Sequence, residues 1–148
     1  MIKIIISAFL LLSLNLSASQ AESKFSEHKK ACKAGVANEC ISLGILYFTG
    51  DGVEENHKKA KKAFLKPCKK RRAQACYYIG TIYKRGGFGV QRNIKKAKFY
   101  YAQACKMSHQ ASCNQYNLIR EKREEVGEKG KNNNNNFDYT YSTEIYGG

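Results

Sequence analysis

The sequence contains no C-x-x-C pair, and its three histidines, His28, His57 and His109, share no zinc-ligand spacing with one another or with its cysteines. Thioredoxin-like redox chemistry needs the first and a structural or hydrolytic zinc site needs the second, so both classes are excluded, and no cofactor or metal is expected. Acidic residues are scarce: 12 Asp and Glu face 26 Lys and Arg, for a net charge of +14. No apolar run reaches the roughly 20 residues that a membrane-spanning helix requires. The longest extends from Ile4 to Leu16, follows a single cation at Lys3, and gives way to the small and polar residues Ser17 to Ala21. That order is the layout of a cleavable secretory leader over residues 1–21, with cutting after Ala21 and a second acceptable position at Ala18. Without a cysteine near the cut, a lipid anchor is not expected.

Removal of the leader takes Lys3 with it and leaves a mature chain of charge +13 from Glu22 onward. Such a surplus attracts anionic partners. For an exported protein these are envelope polymers, lipid headgroups, acidic proteins or a host surface, and not nucleic acid. The alternative is that the lysines only keep helices solvated. Six cysteines in an exported chain of this length fit a disulfide framework, in which 15 pairings are open.

The cysteines themselves are periodic. Cys32 and Cys40, Cys68 and Cys76, and Cys105 and Cys113 form three copies of C-x7-C whose starts lie 36 and then 37 residues apart. The match extends beyond sulfur. Gly44 and Tyr47 align with Gly80 and Tyr83 at a spacing of 36, whereas Val53, Asn56 and Ala60 align with Val90, Asn93 and Ala97 at 37. The additional residue therefore falls within Gly86 to Gly89, which marks that glycine-rich stretch as a loop. Apolar residues at i, i+3, i+4 and i+7 on both sides predict two helices per unit, the second opened by Asn56 or Asn93 as N-cap. Gly44 and Gly80, unfavourable inside helices, imply close approach of a partner helix, with Ala60 and Ala97 as the complementary small residues. Tyr47 and Tyr83 are expected in the core.

The pattern LG-x-x-Y, G-x-GV, a polar residue, then KKA and an aromatic ahead of AC resembles the Sel1-like repeat, a relative of the tetratricopeptide repeat. With C-x7-C added, the chain is similar to the Helicobacter cysteine-rich protein family. The resemblance spans about residues 22–120 and implies an all-α, short right-handed solenoid of disulfide-stapled antiparallel helix pairs. It also implies that each C-x7-C closes on itself, tying the second helix of one unit to the first of the next. Seven intervening residues suffice to end one helix, turn and begin another, in support of that pairing. Each such ring would remove on the order of 2.5 kcal/mol of denatured-state entropy.

The expected organisation is an N-capping helix at 23–33, repeat one at about 37–68, repeat two at about 73–105, a C-capping helix at about 110–126, and an Asn-rich and Tyr-rich tail at 127–148. In the C-capping helix Asn117 replaces the glycine and Arg120 the tyrosine, which suits an outer face in water. Pro67 stands where Ala31 and Ala104 precede the other cysteines, and is expected to kink or end its helix early. The turn that follows it carries Lys69, Lys70, Arg71 and Arg72, the candidate patch for an anionic partner.

Family members are described as penicillin-binding proteins and weak β-lactamases, so the resemblance implies β-lactam binding or hydrolysis. Ser26 and Lys29 satisfy S-x-x-K, with Ser112-Cys113-Asn114 and Lys33-Ala34-Gly35 as loose echoes of the partner motifs. In a lysine-rich chain one S-x-x-K is expected by chance, and no residue carries a catalytic assignment. The competing reading is a monomeric binding module for proteins, peptides, peptidoglycan-like peptides or β-lactams, whose concave surface comes from the first helices. Asn38, Ser42, Gln74 and Tyr78 are the candidates on it. Non-reducing peptide mapping should recover Cys32 with Cys40, Cys68 with Cys76 and Cys105 with Cys113, and a crossed pair would overturn the stapled arrangement.

Overall fold

The computed structural model describes residues 23–125. The leader and its cleavage sites, and the tail at 127–148, lie outside the described residues. Six helices follow one another: α1 (23–33), α2 (Ala37–Thr49), α3 (His57–Lys69), α4 (Ala73–Arg85), α5 (Ile94–Cys105) and α6 (Gln110–Glu125). From α2 onward each packs chiefly on its sequence neighbours, as in a solenoid. Strand-like pairing among the described residues is confined to one isolated bridge, Gly87 with Val90, inside the glycine-rich loop. The all-α solenoid expected from the repeat is therefore present.

The two complete units repeat in detail. The side-chain oxygens of Asn56 and Asn93 accept from the backbone N–H groups of Lys59 and Lys96, both at 2.8 Å. Such a cap is worth about 1 kcal/mol. The backbone N–H of the same two asparagines donates to the carbonyls of Tyr47 at 2.7 Å and Tyr83 at 2.8 Å, which fixes how far each second helix starts from the end of the first. Between them Gly50 and Gly86 leave the first helices at φ 74° and 72°. The added residue of the second unit is absorbed at Gly87–Gly89, where Phe88 is 55% exposed.

Gly44 and Gly80 do admit a close approach, but not by the alanines proposed for them. A Cβ on Gly44 would lie 2.5 Å from the Phe64 ring, and one on Gly80 would lie 2.8 Å from the Tyr101 ring. Each ring comes from the second helix of the same unit and occupies the space the glycine leaves. Ala60 and Ala97 are fully buried one turn earlier on the same helix face. Phe64 then stacks on Tyr78 of the next unit, with centroids 5.0 Å apart, so the ring seated on Gly44 also joins the two units. Tyr101 is almost completely buried; its hydroxyl is 3.1 Å from that of Thr81, and burial pushes its pKa up.

Tyr47 and Tyr83, expected in the core, are half-buried at its margin. Tyr83 stacks on Tyr100 at 5.8 Å, accepts from the Lys61 ammonium at 3.2 Å, and has Lys96 over its ring. Tyr47 meets Phe25 of α1 edge-on and carries Lys59 over its ring. A phenol in this position packs its ring while the hydroxyl stays in polar surroundings.

Pro67 does not end α3 early. The helix continues to Lys69, one residue further than the register of α5 would give, with the proline ring buried. The missing N–H removes one bond of the last turn, and the Pro67 carbonyl accepts from Arg72 at 3.0 Å. Burial of the ring offsets the lost bond. On α6, Asn117 and Arg120, which stand where the earlier units have glycine and tyrosine, are both exposed.

Overpacking sets the first structural prediction. Gly44→Ala gains about 1 kcal/mol of helix propensity but must displace Phe64, so we expect a net loss of about 1–3 kcal/mol in urea unfolding, and a smaller loss for Gly80→Ala. Unchanged midpoints for both would show that the rings are not held against the glycines.

Candidate functional site

All three cysteine pairs close locally, with Cα–Cα distances of 4.5 Å for Cys32–Cys40, 4.8 Å for Cys68–Cys76 and 4.7 Å for Cys105–Cys113. Each staple spans the same backbone turn. The third residue after the first cysteine donates its N–H to that cysteine's carbonyl, at 2.9 Å in Gly35, Arg71 and Ser108 alike. The next residue donates to the carbonyl one position before the cysteine: Val36 to Ala31, Arg72 to Pro67 and His109 to Ala104. Such a helix terminus places its turning residue in the left-handed region, with φ of 94°, 60° and 61° at Gly35, Arg71 and Ser108. Glycine adopts that conformation without penalty, whereas a side chain costs about 1 kcal/mol or more.

The middle turn brings together the predicted cationic patch. Lys69, Lys70, Arg71 and Arg72 are all exposed on the α3–α4 turn. A cavity of about 400 Å3 opens beside it, lined by Cys68, Lys69 and Arg71 from this turn, by Gln103 of α5, and by Lys106 and Met107 from the next turn. Two successive staples thus contribute to one basic recess. Lys106 was not among the predicted site residues, although a signal was present: a lysine directly follows the first cysteine in every copy, at Lys33, Lys69 and Lys106.

The predicted groove residues fall at the starts of the first helices. Asn38 and Gln74 are exposed in the first turns of α2 and α4, each two positions before its cysteine. Ser42 and Tyr78 are half-buried. Tyr78 is engaged in the seam between units, stacked on Phe64 and edge-on to Phe48 at 5.7 Å.

The serine candidates are not assembled. Ser26 is exposed on α1, where Lys29 lies over the Phe25 ring. Ser112 lies on α6, fully buried, its hydroxyl 2.9 Å from His109 Nδ1. A buried hydroxyl held at a helix start has no path to a soluble substrate. Among the described residues His57 is also a buried polar side chain, missed by sequence reasoning because Ile94 holds its place in the second unit. Its ring nitrogens lie 3.0 Å from the Gly86 carbonyl and 3.0 Å from a Glu55 carboxylate oxygen, and its ring stacks on Phe48. It therefore links the inter-helix loops of both units. Among the described residues no three His, Cys, Asp or Glu side chains gather as a metal site.

The Sel1 repeat family model matches residues 40–62 and 73–109. Those two segments are Sel1 repeats. Among solved structures it is similar to a Sel1 repeat protein from Oxalobacter formigenes, with a TM-score of 0.57 and 26% identity over 64% of this chain and 38% of that one. It is also similar to Helicobacter pylori cysteine rich protein B, with a TM-score of 0.54 and 29% identity over 61% of this chain and 67% of that one. The chain thus spans little more than a third of the Oxalobacter protein. Comparison with curated protein sequences found no match. Sel1 repeats typically serve as protein-interaction modules. The three disulfides point to an oxidising, non-cytoplasmic compartment, and no described helix is long and apolar enough to cross a membrane.

Strain at the middle turn is directly measurable. Arg71→Gly relieves a left-handed side chain, and even after the entropy that glycine adds to the unfolded chain it should raise stability by about 0.5–1 kcal/mol in denaturant unfolding. A loss of stability would mean that the guanidinium makes contacts worth more than the strain.

Proposed function

We propose that this chain is an exported binding module that holds an extended peptide segment of a partner protein or cell-wall peptide along the first turns of α2 and α4. The observation that carries this reading is the repetition of an exposed carboxamide, Asn38 and Gln74, at the same position of both first helices. A carboxamide both donates and accepts, so a pair of them at repeat spacing matches the alternating N–H and C=O groups of an extended main chain. Ser42 adds a hydroxyl, and the edge of Tyr78 adds an aromatic wall. Rigid spacing between the two amides comes from the Cys68–Cys76 staple, which ties α3 to α4, and from the Phe64–Tyr78 stack. Such preorganisation lowers the ordering cost of binding.

β-Lactam binding or hydrolysis rests on family resemblance alone. Among the described residues Ser26 lies on α1 and Ser112 is buried on α6, so these two serines do not form a common site.

A peptide selected from a display library on the oxidised protein should lose about tenfold in affinity for the Asn38→Ala/Gln74→Ala double variant, the equivalent of two ordinary hydrogen bonds. Lys62→Ala, on an exposed position of α3, should leave it unchanged. Undiminished binding by the double variant would remove these helices from the site. In parallel, turnover of a chromogenic cephalosporin should stay at the protein-free background. Turnover abolished by Ser26→Ala would replace the binding module with a hydrolase.

A further inference from the structure

We infer that the edge of the solenoid formed by the three staple turns is a binding site for a linear acidic polysaccharide, with the recess between the second and third staples receiving one of its anionic groups. This goes beyond the peptide reading and does not depend on it.

The first observation is a ladder of charge. Lys33, Lys69 and Lys106 each follow the first cysteine of a staple, all three are exposed, and the turns that carry them share the same backbone hydrogen bonds. These lysine positions therefore recur once per repeat, each at a staple turn. The middle turn adds Lys70, Arg71 and Arg72. A small free anion engages one turn, whereas a ladder of positions fits a polymer that repeats its own charge.

The second observation is Arg71 itself. The same turn holds glycine in the first staple, at φ 94°, and the backbone of Arg71 adopts φ 60° without glycine's freedom. Ser108 shares this conformation at φ 61° in the third staple, but of the two only Arg71 is a cation that lines the recess. Strain kept at an exposed position motivates a functional reading. Arg71 lines the recess, and a guanidinium can present two parallel donors to a sulfate or carboxylate group.

The third observation is the wall chemistry. Cys68 and Met107 give the 400 Å3 recess soft apolar surface and Gln103 gives it an amide. A sugar ring has C–H faces for the first and hydroxyls for the second. A lipid bilayer would ask instead for apolar side chains beside the cations, and Lys69 to Arg72 include none. The oxidising compartment implied by the disulfides disfavours nucleic acid as the polyanion.

The test uses the full oxidised chain and a heparin octasaccharide, titrated at two salt concentrations. Binding should be salt-sensitive and should weaken at least about tenfold in Arg71→Gly/Lys106→Gln, with a shallower salt dependence. Lys62→Gln/Lys95→Gln removes the same charge from exposed helix positions and should cost less than about twofold. The Tm of Arg71→Gly should not fall, so that lost binding is not lost folding. Equal losses from both double variants, or no binding to heparin, would overturn the proposal. So would tighter binding to phosphatidylglycerol vesicles with the same dependence on Arg71, which would assign the edge to a membrane surface.

Discussion

The architecture depends on a nine-residue disulfide ring closed across a left-handed helix terminus. In a solenoid each unit contacts only its neighbours, so stability depends on the seams between units. The staples act at those seams. Cys32–Cys40, Cys68–Cys76 and Cys105–Cys113 each join the end of one helix to the start of the next unit's first helix, and the shared turn bonds give the junctions similar geometry. Similar junctions favour regular spacing. That is the property a repeat protein needs if it is to present side chains at regular intervals along an edge or a groove.

Within a unit the organising contact is different. An aromatic ring from the second helix sits where a glycine of the first helix has no side chain, Phe64 on Gly44 and Tyr101 on Gly80. The two units solve the same packing problem with different rings, and the difference propagates. Phe64 is free of polar atoms and stacks onward to Tyr78, whereas Tyr101 brings a hydroxyl into the interior and needs Thr81 beside it. Disulfides between units and ring-on-glycine packing within them leave the turns and the helix starts as the places where side chains are not needed for the fold. Both proposed binding surfaces lie there.

Much of the scaffold was legible because its causes are local. An asparagine N-cap acts on an N–H three residues away, so Asn56 and Asn93 could be recognised without tertiary information, and both caps are formed. The staple pairing was readable through the resemblance and through the short span of C-x7-C. Pro67 was misread because its cost is local but its compensation is not: the ring is buried, and the helix continues past it. The role of Lys106 was concealed for a similar reason, since it joins the recess only when the second and third turns stand side by side.

The sequence by itself determined the repeat length, through its 36- and 37-residue cysteine periods, and the position of the loop that absorbs the extra residue. The helix starts are set by interactions within about ten residues, and the three sulfur pairs were legible with the family resemblance. Tertiary structure decided which ring fills each glycine, how His57 links two loops, and which cations share a recess. Those depend on residues brought together from different helices, where distance along the chain carries no information about distance in space. The strained Arg71 belongs to both: the turn that requires a left-handed residue is local, and the recess that explains an arginine there is formed only by the neighbouring unit.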